Sequence, residues 1–315
     1  MYDLSQYAYV ASFVALALAA VLYASYGVAR RRTVLAVAGG IDGDVEVPVS
    51  GGTPLAETLG RWGSILLINA FVFLTGALGF RWVAAGHGPF ANMYEFSLAF
   101  VWGTLASQLY FEFRYGLRSL AILAIPVCLA MFAYAATLPS EIEPLVPALQ
   151  NNLLLSVHVA VAIIAYGAFA LSFAAAVLFL VNRGNRIGWL PKQAMLDEVG
   201  YKSVMFGFPL LALVIILGAL WAKVAWGQYW SWDPKETASL VTWLIYGGYL
   251  HARVVRGWKG NRSAFLLIGG FAAVIFTYFG NYFLSGLHSY AKPSSGAIIT
   301  PQALHYVFSG LLGHG

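Results

Sequence analysis

Charge and cysteine are what this 315-residue chain has least of. Asp, Glu, Lys and Arg make up only 10% of it, while 60% is hydrophobic. Too few polar residues remain to cover a soluble core of that size, so a water-soluble globular protein is excluded. One cysteine, Cys128, excludes a disulfide framework and a redox pair of thiols. No Ser-His-Asp set, zinc motif or phosphate-cradling glycine loop is present either.

What the chain has in plenty is long uncharged runs. Eight candidate membrane spans can be read, at about 6–29, 62–84, 93–112, 119–138, 152–182, 203–224, 237–256 and 263–285. Backbone groups in lipid must bond within their own segment, so these are expected to be helices. The fold class expected is therefore an all-α polytopic membrane protein of about eight transmembrane helices, with one membrane domain over 1–315. Its third span is trimmed by Glu95 and Glu112. The first run is followed by Arg30-Arg31-Arg32 and carries no signal-peptide cleavage pattern, so it reads as a retained helix.

The basic residues give the direction. With the N-terminus outside, the four inner segments hold 14 of the 18 Lys and Arg, leaving only Arg81, Lys223, Lys235 and Lys292 outside. Both termini are then expected to be extracytoplasmic. The net charge of +5 becomes a topology signal and not a nucleic-acid footprint. The inner loop 33–60 reads as a hairpin or mobile segment, 187–202 as a short interfacial helix, and 292–315 as an extracytoplasmic tail.

One outer stretch concentrates chemistry. "WAKVAWGQYWSWDPKETASLVTW", Trp221 to Trp243, holds five of the ten tryptophans. Part of it is a helix start: Asp233 suits an N-cap, Pro234 the first helical position, and Glu236 the third. Trp226, Tyr229, Trp230 and Trp232 crowd one short loop, either as an interfacial aromatic belt or as a platform for a large flat ligand.

Histidines separate these readings. His158 falls about 9 Å below the outer end of the fifth helix, and His288 directly follows the eighth, on the same side. His251 falls about 22 Å down the seventh helix, in the inner half of the membrane. A single membrane histidine is commonly a neutral, hydrogen-bonded core residue. Two outer histidines flanking a tryptophan platform fit a macrocycle with two axial imidazoles, a haem. His87 reads as an exposed loop residue, and His305 and His314 as incidental tail residues.

At this point the residues resemble a known family. "WGQYWSWDPKE" with "TWLIYGGYLHAR" looks like the tryptophan-rich (WWD) signature of CcsA, the haem-handling half of a system II cytochrome c synthase. "NMYEFSLAFVW", "LLLSVHVAVAIIAYGAFA" and "NYFLSGLHSYA" resemble the segments that carry the family's Asn-x-Tyr-Glu and its two outer histidines. The likeness covers about 60–291, the expected haem-handling core.

The resemblance implies a site made of His158, His288, His251, Trp226, Tyr229, Trp230, Trp232 and Asp233. Haem b would enter with His251 as one axial ligand and a CcsB (ResB-like) membrane subunit supplying the other. It would then reach an outer site ligated by His158 and His288. There its vinyl groups would meet the thiols of an apocytochrome c Cys-x-x-Cys-His segment. The implied place is the plasma (inner) membrane, with the active site on the extracytoplasmic face. Two readings stay beside it: a haem exporter or chaperone of the CcmC type, and a quinone- or ion-coupled membrane protein that uses its tryptophans as a belt.

Overall fold

The computed structural model describes residues 1–39, 54–142, 152–284 and 286–288. It contains eight α-helices: α1 (Tyr2–Gly39), α2 (Pro54–Ala85), α3 (Met93–Tyr115), α4 (Ala121–Ala136), α5 (Asn152–Val181), α6 (Gln193–Trp226), α7 (Pro234–Val255) and α8 (Asn261–Phe283). No strand occurs among the described residues.

Six of these helices are long and apolar enough to cross a membrane. The other two, α3 and α7, are more polar. Glu95, Gln108, Glu112 and Arg114 lie on α3, and Lys235, Glu236, His251 and Arg253 on α7. Both are nevertheless threaded into the same bundle, α3 against α5, α4 and α2, and α7 against α8 and α6.

Two boundaries differ from the sequence reading. The short helix expected at 187–202 is not separate, because α6 starts at Gln193 and runs unbroken to Trp226. Its early residues Leu196, Val199 and Gly200 are buried in the bundle, so the packing that holds α6 extends to them. The inner loop expected at 33–60 is likewise shortened from both sides, since α1 continues to Gly39 and α2 begins at Pro54. Residues 40–53, and the tail 292–315 with His305 and His314, lie outside the described residues.

The core is built by close helix pairing. Ser5 and Ser12 on α1 donate to the carbonyls of Ala77 and Ala70 on α2, and small residues at that seam let the backbones approach. Between α3 and α5 the approach is closer still. A Cβ on Gly167 would collide with the Gly103 carbonyl, and one on Gly103 with the Ile163 carbonyl. Glycine is required at both positions for the two helices to touch.

Opposite ends of the bundle are tied differently. At one end Arg81, fully buried, pairs with Glu95 at 2.5 Å and donates to the carbonyls of Ser140 and Glu141. The Tyr2 hydroxyl bonds Ser140 at 2.9 Å there, so the start of α1 and the ends of α2 and α4 meet. At the other end Glu112 accepts from Tyr23 at 2.6 Å and from Ser64, with Arg118 3.6 Å away. Outward, the helices present apolar side chains such as Val21, Val72, Leu213 and Phe265.

Candidate functional site

The Asn-x-Tyr-Glu segment is part of the first of those ties. Asn92 caps α3 by accepting from the Glu95 amide at 3.0 Å, and Glu95 takes the Ala91 amide as well as Arg81. The Arg81 guanidinium lies 5.0 Å from the Tyr94 ring centroid. The segment thus anchors the start of α3, whose next turns, Phe96 and Phe100, line a cleft between α3, α5, α6, α7 and α8.

That cleft opens to solvent at its mouth, and its empty space, open mouth included, is about 1060 Å³. His158 on α5 and His288 after α8 both line it. So do Tyr166, Trp221, Trp230, Lys235, Glu236 and Tyr278. Ser239 and Thr277 add hydroxyls, and most of the remaining wall is apolar, with Met93, Leu155, Val159, Ile163 and Val214.

His158 has a bed made for it. A Cβ on Gly218 of α6 would lie 3.0 Å from its Cε1 atom, so only glycine leaves the imidazole where it is. Its Nδ1 is buried without a hydrogen-bond partner among the described residues, and the polar group beside the ring is the Val214 backbone. A buried imidazole nitrogen of this kind is costly without a ligand.

His288 is fixed differently. Its Nδ1 lies 2.8 Å from Asp233 Oδ1, while Asp233 Oδ2 accepts from the Leu287 amide at 2.6 Å. A carboxylate only accepts, so Nδ1 carries the proton and Nε2 keeps the lone pair that a metal binds. Burial works to raise the Asp233 pKa. The charge and hydrogen bond of His288 and the Lys235 and Leu287 amides outweigh it and hold the group at about 2. For His288, burial pulls the imidazole below its ordinary value, against the pull of Asp233.

The expected capping box at Asp233 is present in full. Asp233 accepts from the Lys235 amide at 2.9 Å, and Glu236 reaches back to the Asp233 amide at 3.2 Å and the Ser231 amide at 2.8 Å. Asp233 does not line the cleft itself. It acts on it by holding His288.

The tryptophans divide. Trp230 lines the cleft, and so does Trp221, which is almost fully buried. Trp226 stands edge-on to His288 at 4.8 Å between centroids, with Trp221 at 5.7 Å from the same imidazole. These two brace the histidine. Tyr229 and Trp232 instead face outward, 56% and 69% exposed. Trp232 adopts a φ of 59°, uncommon for a bulky residue, and stands edge-on to Trp230 at 5.7 Å.

The structure does not bring His251 to this cleft. It is exposed on α7, in a stripe with Leu244, Gly248 and Val255. His87 departs from the sequence reading: it is buried, with Nδ1 2.9 Å from the Gly88 carbonyl. Its loop folds down on α5, where a Cβ on Gly88 would meet the Ser156 hydroxyl at 2.6 Å. Phe96, Phe100, Tyr166 and Lys235 are among the lining residues that the sequence reading missed. For the aromatics the only available signal was helical spacing, which core residues share.

Residues 90–288, which include both cleft histidines, match the family described as Cytochrome C assembly protein. The cytochrome c biogenesis protein CcsA of Guillardia theta is 38% identical, over 73% of this chain and 84% of that one. CcsA of Synechococcus elongatus is 37% identical, over 75% and 89%. Among solved structures, the cytochrome c haem lyase CcmF aligns with 98% of this chain at a TM-score of 0.64 and 17% identity, a likeness of fold. This chain spans about half of that protein, 49% of its length.

Proposed function

This chain belongs to the cytochrome c assembly protein family, and on that premise we propose that it is the haem-binding, haem-translocating subunit of a system II cytochrome c synthase. The observation that carries the reading is the single cleft lined by both His158 and His288, with aromatic walls and one imidazole oriented by a carboxylate. Haem b is the cargo. His158 and His288 are its axial ligands, Trp230 and Trp221 flank it, and Trp226 with Asp233 keeps His288 in place.

The cleft holds haem for a second substrate, an apocytochrome c Cys-x-x-Cys-His segment. Each cysteine thiol adds across one vinyl double bond, sulfur to one carbon and hydrogen to the other, so the addition needs no oxidant. The protein's contribution is position: it keeps the macrocycle still while the peptide thiols approach. Outward-facing Tyr229 and Trp232 provide an aromatic surface beside the mouth for that peptide.

His251 belongs to a separate inner site. Its exposure on an unpartnered stripe of α7 suits a haem shared with a second membrane subunit, a CcsB/ResB-like protein supplying the opposing ligand. The chain is an integral protein of the plasma (inner) membrane, with the cleft on the extracytoplasmic face, as the distribution of Lys and Arg supports.

The test is reconstitution in a host without its own cytochrome c maturation. Co-expression with a CcsB/ResB-like partner and a Cys-x-x-Cys-His reporter should give covalently bound haem on the reporter. His158→Ala and His288→Ala should each abolish it. Haem bound and exported without any partner, with no attachment even when the partner is present, would replace the two-subunit reading with a CcmC-like exporter or chaperone.

A further inference from the structure

Lys235 is out of place by every local rule. It sits in the first turn of α7, where the helix dipole disfavours a cation, directly after the Asp233 cap. It lines a cleft whose walls are largely apolar, where an ammonium loses hydration. Among the described residues no carboxylate lies within ion-pair distance of its Nζ atom. Its one close partner there is the Phe96 ring, 5.5 Å to the centroid. The negative groups nearby are engaged: Asp233 by His288 and the Leu287 amide, Glu236 by Ser231 and the Asp233 amide.

The polar groups deeper in the cleft are also committed. The Thr277 hydroxyl donates to the Ala273 carbonyl, Ser239 to the Lys235 carbonyl, and Tyr278 meets Ser97 at 3.0 Å. Lys235 therefore feels the Asp233 charge from a distance but makes no ion pair among the described residues, on the same wall system as His158 and His288. A cation held there at a cost, without a carboxylate in contact, is placed to meet an anion that arrives with the ligand.

We propose that Lys235 is the anion-binding group of the cleft, taking a propionate carboxylate of haem and so fixing the macrocycle's in-plane orientation. Haem carries its two propionates on one edge and its vinyl groups away from it. An ion pair at Lys235 therefore turns the reactive edge to the side of the cleft opposite this residue. The two imidazoles alone cannot do this, because axial ligation leaves rotation about the iron–nitrogen axis open. Lys235 is thus a positioning residue, and its assignment rests on the haem-binding reading above.

The experiment separates charge from fit. The purified full-length chain is titrated with ferric haem and with haem dimethyl ester, whose propionates are uncharged, and the Soret band is followed. Wild type, Lys235→Met and Lys235→Arg are compared. Lys235→Met should weaken haem binding about 10-fold or more, the scale of one charge-assisted hydrogen bond, and leave the ester's affinity within about twofold. Lys235→Arg should retain most of the haem affinity. If Lys235→Met binds haem as wild type does, the lysine only extends its stem along apolar surface, and the proposal fails. Equal loss of haem and ester would also overturn it, as a packing defect. A wild-type chain that binds neither ligand would instead contradict the haem reading itself.

Discussion

Asp233 links the start of α7 to the segment after α8. One carboxylate oxygen holds His288 Nδ1 at 2.8 Å and the Lys235 amide at 2.9 Å, and the other takes the Leu287 amide at 2.6 Å. One side chain therefore caps a helix and sets the tautomer of a candidate iron ligand. A carboxylate behind a ligating imidazole raises its basicity and stops it from turning.

These two tasks can be separated. Asn caps helices about as well as Asp but cannot act as an anion behind the imidazole. Asp233→Asn should therefore leave thermal stability nearly unchanged while lowering haem affinity about 10- to 100-fold, the usual effect of removing such a support. Asp233→Ala should lose the same affinity and a further ~1 kcal/mol of stability. Unchanged haem affinity in Asp233→Asn would mean that the carboxylate serves the helix alone.

His158 is positioned by an absence. Gly218→Val would put branched carbon where the imidazole Cε1 now lies 3.0 Å from the position of a Cβ. The expected result is a chain that still inserts and folds but has lost the six-coordinate low-spin haem spectrum. Circular dichroism and absorption on one sample check both halves of that statement.

The Arg81–Glu95 pair is a matter of stability. Arg81→Met would leave Glu95 buried without its counter-charge, at a cost of about 3–5 kcal/mol. The double variant Arg81→Met/Glu95→Gln should recover part of that loss, as measured by thermal unfolding in detergent. No difference between single and double variants would show the pair to be uncoupled.

Closeness of α3 and α5 has a consequence for the cleft, because both helices line it. Gly167→Leu should wedge them apart at the Gly103 carbonyl. Lower membrane yield together with weaker haem binding is expected, whereas the same change at Gly79, where a Cβ meets nothing within 4 Å, should be mild.

Six of the helices were legible because a long uncharged run in lipid has one backbone solution; α3 and α7 carry charged residues and fall short of that pattern. The cap at Asp233 was legible because its cues lie within four residues. The Arg81–Glu95 pair was not, since its partners sit on different helices joined by a loop, and each looks like an ordinary polar residue near a span's end. Nor could the loop's composition say which aromatics turn inward. Trp230 lines the cleft, and Trp232, which adopts a left-handed backbone, does not. His158 and His288 were placed on the same side by counting residues, but their shared cleft depends on α3, α6, α7 and α8 as well.

The most direct test of the central claim is the absorption spectrum of the purified full-length chain loaded with haem, for wild type, His158→Ala and His288→Ala. Two axial imidazoles in one cleft require a six-coordinate low-spin spectrum in wild type. Each substitution should convert it to a five-coordinate form, and added imidazole should restore the original bands. A wild-type spectrum unchanged by either substitution would contradict the account, because the iron would then be held by other groups.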